Sequence, residues 1–142
     1  MRIIKKGDKM NVIVCIDDNK GMLFNQRRQS KDMEVVKDIW RMTDVLWIAP
    51  FSKTMFEDSK DKVIIDEELL EKANNGEYCF VENKELAPFC DDIEQLVLYK
   101  WNRKYPCDFR LDIQYEKWNL VRTQEFVGNS HEKVTKEIYV RG

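Results

Sequence analysis

Apolar runs and polar breaks alternate along this chain, first with the period of strands and then with that of helices. Residues 11–16 (NVIVCI) form a short run rich in β-branched side chains, the pattern of a strand buried on both faces. The polar, glycine-punctuated stretch 17–31 predicts a loop. Val35, Val36, Ile39, Trp40 and Met42 recur at helical spacing, which predicts a helix over residues 31–42 with one face against a sheet. Ser30 is its expected N-cap, and Asp32 and Glu34 put acid into the first turn, where the helix dipole favours it. Residues 44–49 (DVLWIA) read as a second buried strand ended by Pro50, and SKTMFED as a helical turn. Then come a strand, KVIID, a helix, DEELLEKANNG, closed by Asn75-Gly76, a strand, YCFVE, and a brief helical turn, KELAPFC. IEQLVLYKW is long and mostly apolar and predicts a central strand. The last two strands, joined by a tight GNS turn, alternate as at the solvated edge of a sheet.

Strands that alternate with helices and finish in a ribbon predict a single α/β domain over residues 1–142. The expected architecture is a three-layer α/β/α sandwich with a mixed, mostly parallel sheet and a C-terminal antiparallel ribbon. Residues 1–10 are expected to form a disordered or alternative-start extension, with Met10 as a second candidate start. A chain of 142 residues can bury roughly 68–70 % of its unfolded surface. The formal net charge of −2 supplies no field to attract a polyanion, so nucleic acid is not an expected partner. No run approaches the roughly 18 apolar residues of a membrane span. MRIIKKGDKM is basic but lacks the apolar core of a signal peptide. Cys15, Cys79, Cys90 and Cys107 are widely spaced with no CxxC pair. They read as reduced thiols of a cytoplasmic protein, and with one histidine in the chain no metal site is expected.

Several stretches resemble the dihydrofolate reductases. VIVCIDDNKGM resembles that family's opening strand and its Val-Asp-x-x-x-Gly loop. LFNQRRQSKD before the helix resembles a P-W-x-L-P-x-D loop, about one residue short and without the Pro-Trp pair or the second proline. IEQLVLYKWN resembles a strand of the LYLT type, and Cys107-Asp108-Phe109-Arg110-Leu111 a G-D-T-x-F-P-like corner, with Trp118 leading the next strand. The resemblance implies a dihydrofolate-reductase-like fold and sets Asp32 close to the catalytic carboxylate. It puts Tyr99 where a threonine backs that acid, filling much of the pterin site. It also gives Asp108 a structural job, bonding backbone amides of the first loop.

The cofactor elements of that family are altered. Ala49-Pro50-Phe51-Ser52-Lys53-Thr54 stands where a G-R-x-T-x-x-S segment would take phosphates on a helix N-terminus. Glu82-Asn83 replaces the Gly-Gly pair under the pyrophosphate, and Glu82 would set a negative charge there. Between Phe56 and Val63 the element that grips the adenosine half is missing. NADPH is therefore not an expected cofactor, and none is expected in its place.

The remaining chemistry centres on Asp32, whose carboxyl could protonate a heterocycle if an apolar pocket raised its pKa, or could simply complement the helix dipole. Arg27 and Arg28 form the only dense basic cluster and could pair bidentately with a carboxylate or phosphate, or be a solvated loop offset by Asp17 and Asp18. His131 reads as a surface residue. Tyr99, Trp101, Tyr105 and Trp118 read first as packing, second as a platform for a ligand or partner. The expected cleft is lined by Ile13, Met22, Phe24, Arg27, Arg28, Trp47, Thr54 and Tyr99, with Asp32 at its floor. The leading expectation is a divergent relative without NADPH-dependent reductase activity. It would bind a small anionic ligand or a protein partner, as a monomer or homodimer. The alternative is a reductase of a pterin-, flavin- or pyrimidine-like heterocycle with an altered cofactor mode and Asp32 as general acid.

Overall fold

In the computed structural model, which describes residues 9–141, the apolar runs build one seven-stranded sheet. Strands β1 (Met10–Ile16), β4 (Leu46–Ile48), β5 (Val63–Ile65), β6 (Tyr78–Phe80) and β7 (Ile93–Lys100) run parallel in the order β5-β4-β6-β1-β7. The last two, β9 (Asn119–Phe126) and β10 (Val134–Val140), complete it as an antiparallel ribbon, with β10 laid against β7 and β9 at the free edge. This is the mixed, mostly parallel sheet with a C-terminal ribbon that the pattern predicts.

The two-residue alternation of β1 and β7 divides the core. Val12, Val14, Ile16, Leu96 and Leu98 face one layer, with Tyr139 beside Leu96 on the same face, where Leu69, Leu70, Leu86 and Ile113 join them in one core. Ile13, Val97 and Tyr99 face the other, under Val35, Val36 and Ile39 of helix α1 (Met33–Met42) and Met55 and Phe56 of a kinked 3₁₀ segment, Pro50–Lys62. Helix α2 is one turn, Leu69–Lys72, because Asp66 and Glu77 side chains accept the amides of Glu68 and Asn74 and hold both flanks in turns. The predicted helix 66–76 is shorter for that reason, although Gly76 adopts the positive φ (80°) expected of a stop.

Other expectations are corrected. The predicted loop 17–31 contains β2 (Gly21–Phe24) and β3 (Arg27–Arg28), which join β8 (Phe109–Arg110) in a second small sheet. The helix N-cap is Asp32, not Ser30, and its carboxylate accepts the Glu34 amide. Asp17 does not offset the arginines. It is buried, and its carboxylate accepts the amides of Asn19, Gly21 and Tyr105 and the Gln29 side-chain amide. Asp108 accepts the Asn25 amide at 3.1 Å, the kind of bond to the first loop that the resemblance implies. All four cysteines are free thiols. The expected extension lies outside the described residues except for Lys9 and Met10, and Met10 is the first residue of β1. Among the described residues no helix is long and apolar enough to cross a membrane.

Candidate functional site

Helix α1 begins where β2, β3 and the β9–β10 turn converge, and Asp32 is the meeting point. Its carboxylate accepts five donors, the amides of Glu34, Asn129 and Ser130, the Ser130 hydroxyl and Nδ1–H of His131. It is 1 % exposed. Burial alone would raise its pKa, but the bonds from His131 and from the three amides outweigh that and hold it at about 2. Of the two readings of Asp32, the raised pKa is not the one met here. Asp32 is an ionised hub rather than a protonated acid open to a pocket.

His131 is likewise not a surface residue. It is 4 % exposed and stacks on Trp101 with ring centroids 4.5 Å apart and planes 18° from parallel. Since Asp32 is ionised, the Nδ1 facing it at 2.8 Å carries the proton. In the neutral ring the other nitrogen, Nε2, is the acceptor, and it faces Ser30 Oγ at 2.9 Å and the Tyr105 hydroxyl at 3.3 Å. Gly128 makes the arrangement possible, because a Cβ there would lie 2.3 Å from Asp32 Oδ2.

A second buried charge lies beyond the end of β6. Glu82 is gripped by Arg28 through Nε (2.5 Å) and Nη2 (2.7 Å), and accepts the Ser52 hydroxyl at 2.8 Å. Arg28 also donates to Thr54 Oγ1 at 3.1 Å. Such a bidentate pair satisfies both charges out of water. Between the two networks remains a cavity of about 10 Å³, lined by Cys15, Met22, Arg28, Gln29, Ser30, Met55, Glu82 and Trp101. That is room for roughly one water-sized group. Outside it, an open groove of about 550 Å³ runs along Phe24, Asn25, Arg27, Arg28, Gln29, Tyr105 and Pro106.

The expected cleft is therefore brought together only in part. Met22 and Arg28 meet at the small cavity, and Phe24, Arg27 and Arg28 at the groove. Thr54 stands behind Arg28 as its hydrogen-bond partner. Ile13 is fully buried in the α1-side core, and Cys15, two residues along the same face, reaches the cavity instead. Trp47 packs on the opposite face of the sheet and donates its indole N–H to Glu77. Tyr99 is wholly buried with its hydroxyl 2.6 Å from Asp38, which also pairs with Lys136. Trp118 lies with the opposite core and so does not join Trp101 and Tyr105. Sequence reasoning missed Ser30 and Gln29 as site residues, and it placed His131 outside the site. The signal available was polar spacing around Asp32, but nothing in the sequence links position 131 to position 32.

Among solved structures, the dihydrofolate reductase from Enterococcus faecalis complexed with NADP(H) and RAB-propyl is similar with a TM-score of 0.63. The match spans 94 % of this chain and 96 % of that one at 12 % identity. The fold is dihydrofolate-reductase-like. At that identity the likeness concerns the fold alone. No family model matches the chain, and no curated protein matches it.

Proposed function

We propose that this chain binds a small anionic ligand in the groove beside Arg27 and has no NADPH-dependent reductase activity. The observation that carries the reading is the division of labour within the arginine pair. Arg28 is committed to Glu82, whereas the Arg27 guanidinium borders the groove and has no hydrogen bond or ion pair among the described residues. Phe24, 41 % exposed, and Tyr105 give the groove aromatic walls. An aromatic carboxylate or phosphate matches that combination of a flat apolar surface and one unneutralised guanidinium. The reductase alternative through Asp32 loses support, since a carboxylate held at about 2 has no proton to deliver near neutrality.

A titration with benzoate, phenyl phosphate and nucleoside monophosphates, read by melting temperature and calorimetry, tests this. At least one should bind saturably, and Arg27→Ala should weaken it by roughly tenfold or more, the loss of one charge-assisted hydrogen bond. Binding that is indifferent to Arg27, or oxidation of NADPH by the protein, would reject the reading.

A further inference from the structure

Ser30, His131 and Asp32 stand in the order of a nucleophile, a base and the group that orients the base. Ser30 Oγ lies 2.9 Å from His131 Nε2, and His131 Nδ1 lies 2.8 Å from Asp32 Oδ2. We propose that this relay is a nucleophilic site, with Ser30 attacking the carbonyl of esters of compact carboxylic acids. The inference goes beyond anion binding in the groove and does not depend on it.

Each member is set for its role by contacts already described. Asp32 is ionised and immobilised by backbone amides, so it fixes the imidazole tautomer with the proton on Nδ1. Trp101 holds the ring by stacking, and the free lone pair of Nε2 points at hydroxyls, with Ser30 nearer than Tyr105. A clamp that only tied the β9–β10 turn to the helix would need Asp32, the amides and Nδ1–H. A hydroxyl on Nε2 also satisfies a buried ring nitrogen; what sets Ser30 apart is that its hydroxyl is half-buried beside a cavity.

Ser30 lines the cavity of about 10 Å³, and Arg28 and Gln29 line both that cavity and the outer groove. A cavity of that size holds about one water-sized group. The acyl side must therefore be small, while the alcohol side extends toward the groove.

The step balances without a co-reactant other than water. As the Ser30 Oγ–carbon bond forms, the hydroxyl proton passes to His131 Nε2. The imidazolium returns it to the leaving alkoxide as the carbon–oxygen bond breaks. Water, deprotonated by the same base, then hydrolyses the acyl-Ser30, releasing the acid and restoring the serine.

The full chain is treated with a small alkyl fluorophosphonate, which loses fluoride to an activated serine, and separately with p-nitrophenyl acetate. We expect one adduct, placed on Ser30 by peptide mapping of the unaltered chain. Ser30→Ala should abolish it and lower nitrophenol release by on the order of 10²-fold or more, with the melting temperature kept; His131→Gln should slow labelling by a similar factor. Mapping on the unaltered chain decides the matter even where a variant fails to fold. No adduct, an adduct on Ser130 or elsewhere, or undiminished hydrolysis by Ser30→Ala overturns the proposal. Labelling that survives while no anion binds the groove rejects only the groove reading. Anion binding without labelling rejects only this one.

Discussion

At Asp32 a single side chain joins the start of helix α1 to a turn 99 positions away through His131. Its folded pKa of about 2 lies below the ordinary 3.8. A depressed carboxylate contributes stability that is fully present above the unfolded value and is lost as pH falls through the folded one. The shift corresponds to about 2 kcal/mol, lost between roughly pH 5 and pH 2. Acid unfolding followed by circular dichroism should therefore be flatter in this window for Asp32→Asn than for the unaltered chain. Parallel acid limbs would show that Asp32 is not the group responsible. Gly128 belongs to the same hub. Placing a methyl 2.3 Å from Asp32 Oδ2 forces the turn or the carboxylate to move, so Gly128→Ala should cost about 1–3 kcal/mol in denaturant unfolding. An unchanged midpoint would mean that the contact can relax freely. An acid at the start of the helix was legible in the sequence because helix starts favour it, although its place as the N-cap was not. Its saturation was not, since each of the donors from the β9–β10 turn comes from a segment that local spacing cannot connect to it.

At the scale of elements the strands were the most legible part, because runs such as NVIVCI and IEQLVLYKW admit only a doubly buried strand in a chain of this size. Short helices were less so. DEELLEKANNG has helical composition over its length, yet only Leu69, Leu70 and Ala73 find a core to cover, and turns held by the Asp66 and Glu77 side chains flank the helix on both sides. The segment read as loop 17–31 holds two strands, a local β2–β3 hairpin whose outer neighbour β8 is more than eighty residues away and is not announced by polarity alone. The ribbon was read correctly as two strands, but the order within it carries a further consequence. β10 pairs with β7 along its length, and β9 contributes a largely exposed outer edge. Removing residues 113–142 would thus unpair one whole side of β7 and uncover the buried Leu96, Val97, Leu98 and Tyr99. A chain ending at Asp112 should be insoluble or lack a cooperative thermal transition. Soluble, monomeric and cooperatively melting protein would contradict this account of what holds β7 in place.

For the whole molecule, buried charges are held in pairs, and Glu82 is where this bears most on chemistry. The resemblance places a glycine pair at Glu82-Asn83, where backbone must approach a pyrophosphate closely. Glu82 itself is a buried carboxylate, its side chain 7 % exposed, with Arg28 and Ser52 satisfying it. A dianionic group arriving there would meet a fixed negative charge at short range. To remove that charge it would have to break a buried pair, at a cost of about 3–5 kcal/mol. NADPH at millimolar concentration should therefore leave the melting temperature unchanged, where a ligand at a hundredfold excess over its dissociation constant would add about 2.7 kcal/mol. The same pair predicts its own signature in the free protein. Glu82→Gln leaves the half-buried Arg28 without a counter-charge and should destabilise by about 3 kcal/mol, whereas Arg28→Met combined with Glu82→Leu should be close to neutral. Both are read from urea unfolding midpoints at constant slope. A saturable NADPH shift in the unaltered chain would overturn the first expectation, and a double variant no more stable than Glu82→Gln the second.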